Sequence, residues 1–170
     1  MNDPSSTTPS PSALTARVLL RHPLGWLATG FGSGLSPRAP GTVGTAAALI
    51  PWWWLRDLSL PYYLGAIVVA FALGVWAAQW VVNRSGVNDP QVVVWDEFVG
   101  VWIALIAAPA GWIWMLAGFA LFRLFDIWKP WPVRWADRRV HGGLGVMLDD
   151  VIAGGYALIV MHSAGLFFAR

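Results

Sequence analysis

Two stretches of this chain set a pair of adjacent carboxylates against a strongly apolar run: WDEFVG at residues 95–100 and LDDVIAG at residues 148–154. One acid at a helix start would be explained by the helix dipole, worth about 0.3–1 kcal/mol. Two neighbouring acids point about 100° apart, so at least one is expected to face protein rather than water. A carboxylate in hydrocarbon costs on the order of 2.5–3.5 kcal/mol at the bilayer centre, and less toward the edge, unless it is paired or metal-bound. Asp126 adds a fifth acid at the exit of another apolar run. Five acids converging on one face repel one another without cations. Mg²⁺ suits such a group, since it takes hard oxygen ligands and commonly bridges carboxylates and substrate phosphate. Asp96, Glu97, Asp126, Asp149 and Asp150 are therefore the candidate catalytic and metal-ligating residues. For Asp126 a simpler account stands beside this one, because Arg123 and Lys129 lie three residues to either side and form a ladder of salt bridges at helical spacing.

Phosphate-binding candidates surround these acids. Arg123, Lys129 and Arg134 carry the right charge, although basic residues at a membrane surface are expected in any case. The segment GFGSGLSPRAPGT, residues 30–42, is too rich in Gly and Pro for a regular helix. It reads as a loop whose backbone N–H groups, with Ser33, Ser36, Thr42 and Arg38, could cradle a phosphate ahead of a helix capped by Thr42. The pattern lacks the lysine of a Walker loop. His141, before GGLG, is a candidate acid or ligand, or simply structural, while His22 and His162 have no supporting residues and Arg138 and Arg139 read as surface charges.

The elements that must position these residues are membrane helices. Hydrophobic residues make up 57% of the chain and charged ones 12%, against roughly 45–50% and about 25% in an ordinary globular domain. Thirteen Trp fit a chain that meets lipid headgroups. The net charge of +2 is too small to suggest a nucleic-acid partner, and the absence of Cys excludes disulfides, thiol nucleophiles and Cys-ligated metals. Residues 1–16, rich in Ser, Thr and Pro, read as a disordered tail without the features of a signal peptide. Residues 17–170 read as one membrane-embedded domain.

Within that domain, residues 17–27 predict a short interfacial helix with Arg17, Arg21 and His22 toward water and Val18, Leu19, Leu24 and Trp26 toward lipid. Residues 42–55 are too few to span about 30 Å of hydrocarbon unaided. Residues 62–82 form the cleanest transmembrane segment, and residues 83–91 a polar turn. The charge-free run from 98 to 122 is broken by Pro109, Ala110 and Gly111, which predicts a helical hairpin returning Asp126 to the face of Asp96 and Glu97. A last helix covers residues 151–168. Arg17, Arg21, Arg38, Arg84, Lys129, Arg134, Arg138 and Arg139 then share one side and only Arg56 and Arg170 the other, which makes the crowded side cytoplasmic. The expected fold is all-α: a polytopic membrane bundle with short or hairpin helices and a cytoplasmic-face active site.

The residues from 122 to 150 hold five of the eleven Lys/Arg and four of the nine Asp/Glu, a concentration that fits a site at the membrane edge. Motifs of several phosphotransfer classes are missing: the DxDx[TV] start of haloacid-dehalogenase-type phosphatases, the SGH core of membrane acid phosphatases, and most of the CDP-alcohol phosphotransferase signature. Three stretches, GFGSGLSPRAPGT, VVWDEF and FRLFDIWKPWP…HGGLGVMLDD, together resemble the bacterial phosphatidylglycerophosphatase A family from about Trp26 to Phe168. The resemblance implies an all-helical, Mg²⁺-dependent enzyme of the inner membrane that hydrolyses phosphatidylglycerophosphate to phosphatidylglycerol and phosphate. It maps acidic active-site residues onto the same five positions. Attack by a metal-activated water and direct attack by an aspartate are both open. The rival classes are a transporter or divalent-cation-binding protein, which needs acids near mid-membrane and a second access route, and a non-enzymatic scaffold.

Overall fold

Proline and glycine set most of the helix boundaries. Pro23, Pro40 and Pro61 each fall in the first turn of a helix, where the missing N–H has no intrahelical acceptor to lose. The computed structural model describes residues 15–168, and among these there is no strand. The helices are α1 (Ala16–Arg21), α2 (Pro23–Ala28), α3 (Pro40–Leu55), α4 (Leu60–Ser85), α5 (Trp95–Ala104), α6 (Trp112–Trp128), α7 (Val133–Arg139) and α8 (Gly142–Phe168), with a 3-10 turn at Ser33–Leu35. The proposed disordered tail, beyond its last two residues, and Arg170 lie outside the described residues.

Several expected boundaries shift. The interfacial segment is two six-residue helices rather than one, because Pro23 follows an extended His22 (φ −113°, ψ 132°) whose Nδ1 accepts the Leu24 N–H at 3.2 Å. Leu19, expected to face lipid, is fully buried in a cluster with Ala77, Ala78 and Val81 of α4. Helix α3 begins at Pro40, with Ala39 in the left-handed region (φ 46°) as its N-cap. Thr42 is therefore exposed inside the first turn and caps nothing. Helix α4 runs through Asn83, Arg84 and Ser85, three residues of the expected polar turn, and stops at Gly86 in the left-handed conformation (φ 69°) that commonly ends helices.

The largest shift concerns α8. It starts at Gly142, not Val151, so Asp149 and Asp150 lie two turns inside the helix rather than at its mouth. Gly143 lies against the α4 backbone, and its N–H donates to the Gln79 Oε1 at 2.8 Å. Adjacent acids suggest a helix start, but tertiary packing against α4 extends the helix backwards past them.

Helix α8 packs against α4, α5, α6 and α7. Helix α5 lies at the centre, with eight of its ten residues buried. It is only about 15 Å long, half the thickness of a bilayer core. Gly100 sets its closest contacts: a Cβ there would overlap the Phe122 ring of α6, and a Cβ at Gly154 of α8 would overlap the Gly100 carbonyl. Polar tips of aromatic residues then tie α5 to its neighbours. The indole N–H groups of Trp95 and Trp102 each donate at 2.9 Å to the carbonyls of Ala70 and Ala48, and the Tyr63 hydroxyl donates to the Trp102 carbonyl at 2.7 Å. Such bonds are the usual way a buried Trp or Tyr satisfies its polar atom.

The break expected at residues 109–111 is present, between α5 and α6, and the two helices form the hairpin that returns Asp126 toward Glu97. Helices α4 and α8 are long and apolar enough to cross a membrane.

Candidate active site

The N-terminus of α5, the C-terminal turns of α6 and the first turns of α8 meet at one end of the bundle. They enclose a cleft of about 490 Å³ with the chain leading into α3. Among the described residues six carboxylates line it, those of Asp89, Asp96, Glu97, Asp126, Asp149 and Asp150, facing two cations, Arg123 and Lys129. Glu97, Asp149 and Asp150 are buried, at 7%, 8% and 4% exposure.

The two cations divide the acids between them. Arg123 pairs through Nη1 with Glu97 and, at 2.8 Å, with the Asp126 Oδ2. Lys129 pairs with Asp137 and, at 2.8 Å, with the Asp149 Oδ2. Burial alone would lower the Lys129 pKa, but its hydrogen bonds to Asp137 and Asp149 outweigh that and hold it above the usual lysine range. Glu97 gains a further partner in the buried Thr45, whose hydroxyl lies 2.7 Å from Oε2. Asp96 accepts the Glu97 N–H at 2.9 Å. Among the described residues, Asp96 and Asp150 have no ion-pair partner.

Asp126, Asp149 and Asp150 each offer a carboxylate oxygen within 4.8 Å of the other two. Buried charges of one sign are costly when left uncompensated. An all-oxygen donor set with surplus negative charge fits a hard divalent cation, and its chemistry suits Mg²⁺ better than a softer metal. Beside it, the paired Arg123 and Lys129 offer N–H donors to an anionic substrate group.

All five candidate acids meet here, together with Arg123 and Lys129. The remaining candidates do not line the cleft. The Ser33 hydroxyl donates to the Gly30 carbonyl at 2.8 Å, and Ser36 to the Arg38 carbonyl at 2.9 Å, so both are spent on the loop's own turn. Arg38 and Thr42 are exposed, and what the loop contributes to the wall is Pro37, Ala39, Pro40 and Gly41. Arg134 lines a separate basic cleft, and His141 a small pocket beside Asn88 and Asp137. His22 is a helix cap, and His162 Nδ1 lies 3.1 Å from the Leu158 carbonyl of its own helix.

Thr45, Gly41, Asp89 and Asp137 went unnoticed in the sequence. Thr45 follows Gly41 by one helical turn, a spacing that would have placed both on the face leading to the acids. Gly41 is needed for space, since a Cβ would overlap the Glu97 Oε1 and come within 3.0 Å of the Arg123 Nη1. Gly41→Ala is expected to destabilise the protein by about 1–3 kcal/mol and to reduce turnover more than substrate affinity. Thermal unfolding and steady-state kinetics of purified protein check both effects.

The family model for phosphatidylglycerophosphatase A matches residues 26–164. A phosphatidylglycerophosphatase A of Escherichia coli strain K12 is 46% identical over 153 residues, covering 88% of each chain. One from Haemophilus influenzae is 46% identical over 149 residues, covering 86% of this chain and 91% of that one. A protein of Bacteroides thetaiotaomicron named "Putative phosphatidylinositol-3-phosphatase" is 48% identical over 146 residues, covering 81% and 91%. No solved structure matches the chain. With the matched span enclosing every residue of the acidic cleft, the chain belongs to the phosphatidylglycerophosphatase A family of phosphatases.

Proposed function

We propose that the chain hydrolyses the phosphomonoester of phosphatidylglycerophosphate, releasing phosphatidylglycerol and phosphate, as a Mg²⁺-dependent step of phospholipid biosynthesis. The observation that carries this reading is the group of Asp126, Asp149 and Asp150, drawn to within 4.8 Å in a cleft with a surplus of carboxylates. These three residues would hold the metal, with Asp96 and Glu97 beside them. When bound, Mg²⁺ supplies Lewis-acid polarisation of the phosphomonoester. Arg123 and Lys129 draw the phosphoryl group in and neutralise charge that grows on its oxygens during in-line displacement. Asp96, which has no cation partner among the described residues, accepts the proton of the attacking water. Glu97, whose carboxylate accepts the Thr45 hydroxyl, holds the Arg123 guanidinium in place.

The same geometry supports a placement in the membrane. Helices α4 and α8 cross, and the α5–α6 hairpin fills the bundle between them as part of a polytopic domain. The acids gather at one end, whereas the α5–α6 turn lies at the other, where Leu105 and Ala107 line a pocket with Arg56 and Tyr63. Arg84 stacks on Trp80 near the C-terminus of α4, at the acidic end, with Lys129 and the α7 arginines. By the positive-inside rule that end faces the cytoplasm of an inner membrane. Acids at one end also favour an enzyme over a transporter, which would need them near the midplane.

Phosphate release from phosphatidylglycerophosphate in mixed micelles tests the reading. Activity is expected to vanish with EDTA and to return with Mg²⁺. Asp96→Asn is expected to be at least about 100-fold slower. Phosphatidylinositol 3-phosphate as a competing substrate tests the lipid selectivity. Activity that survives metal removal, or a faster reaction on the inositol lipid, overturns the corresponding part. Rapid quenching during turnover tests the nucleophile: no acyl phosphate is expected on any aspartate, and a trapped aspartyl-phosphate overturns attack by water.

A further inference from the structure

Lys129 lies between two residues that face elsewhere. Lys129 lines the acidic cleft, whereas Trp128 and Pro130 line a second cleft of about 610 Å³ beside it. Its other walls come from Trp131 and α7: Arg134, Trp135, Arg138 and Arg139. This second cleft has the opposite character. Its three arginines have no carboxylate within ion-pair distance among the described residues. The one acid of α7, Asp137, is engaged by Lys129 on the acidic side. The three tryptophans are 63%, 78% and 51% exposed for Trp128, Trp131 and Trp135. The wall is also anchored, since the Tyr156 hydroxyl of α8 donates to the Trp131 carbonyl at 2.8 Å.

Uncompensated guanidinium groups among exposed indoles match an anionic headgroup with a lipid body below it. Arginine offers forked donors to phosphate, and tryptophan settles at the depth where headgroups meet acyl chains. We infer that this cleft binds an anionic glycerophospholipid of the surrounding membrane at a site distinct from the acidic cleft. The inference rests on the membrane placement proposed above. It gives Arg134, Arg138 and Arg139 a role in seating the rim of the active site at headgroup depth. A neutral zwitterionic lipid offers the same acyl body without the net charge, and free phosphate offers the charge without the body, so the two serve as controls.

The test uses the full chain in neutral-detergent micelles, with quenching of its tryptophan fluorescence by brominated phosphatidylglycerol and, separately, brominated phosphatidylcholine. Each basic residue at an anionic surface strengthens attachment about fivefold. The R134Q/R138Q/R139Q variant is therefore expected to need at least about tenfold more phosphatidylglycerol for half-quenching, with the phosphatidylcholine titration unchanged. The R134K/R138K/R139K variant should recover most of the loss, which separates charge from a folding defect. Equal quenching by the two lipids, an unchanged titration in the glutamine variant, or displacement of phosphatidylglycerol by inorganic phosphate overturns the inference. Phosphate release measured in the same samples keeps the two readings apart. Normal quenching without hydrolysis sinks the phosphatase assignment alone, and hydrolysis without charge-selective quenching sinks the lipid site alone.

Discussion

Asp150→Asn is expected to abolish hydrolysis, by about 10³-fold or more, while making the metal-free protein more stable. The two effects have one cause. Asp150 is 4% exposed, has no ion-pair partner among the described residues, and has a carboxylate oxygen within 4.8 Å of oxygens from Asp126 and Asp149. A buried charge in that setting opposes folding, and no ion pair among the described residues recovers the cost. Asn keeps the shape and removes the repulsion. A gain of about 1 kcal/mol would raise the melting temperature by about 2–4 °C in a chain of this size. Stability stored against function is a common property of active sites. Melting curves in EDTA and in Mg²⁺ check the prediction. Wild type should be stabilised by Mg²⁺ and the variant much less so, because a ligand that binds only the folded state stabilises it more the tighter it binds. A variant that melts lower than wild type in EDTA would show that Asp150 has a structural partner, and the metal-site reading would fail.

The acids of this site were legible in the sequence because charge is scarce in the chain and its cost in an apolar setting is high. Asp96 and Glu97 stand in the first turn of α5 as expected, and Pro109 to Gly111 does turn the chain back. The same reasoning misplaced the start of α8, because adjacent acids mark a helix N-terminus only when no packing extends the helix further, and Gly143 against α4 does so. The loop of residues 30–42 was read through its hydroxyls and arginine. Its actual contribution is Pro37, Ala39 and Pro40 in the wall and a missing Cβ at Gly41, which no pattern of polar side chains announces. Arg134 looked like its neighbour Lys129 in charge and spacing. The left-handed turn at Lys129 (φ 46°) separates them, sending one to the acidic cleft and the other to the basic one. Conformations of that kind in non-glycine residues depend on tertiary structure and leave little trace in composition.

Arg123→Gln is expected to be the most destabilising substitution in the site. Arg123 is the cation shared by Glu97 of α5 and Asp126 of α6, so it joins both arms of the hairpin. The side chains are 15% exposed for Arg123 and 9% for Glu97, so water cannot replace the lost partner. Breaking a buried pair by removing one member typically costs about 3–5 kcal/mol, much of a protein's net stability. Glu97 would retain only the Thr45 hydroxyl. The double variant R123M/E97M removes both charges, and most of the stability should return, because two apolar side chains of similar volume are tolerated where one orphaned charge is not. Activity should not return with it. Glu97 is itself an acid of the cleft, so activity is compared with E97M alone. If Arg123 only braces the hairpin, the double variant should be no slower than E97M. If Arg123 also neutralises the phosphoryl oxygens, it should melt near wild type and remain at least about 100-fold slower than E97M. Measuring both quantities on the two single variants and the double variant separates the bracing role from the electrostatic one.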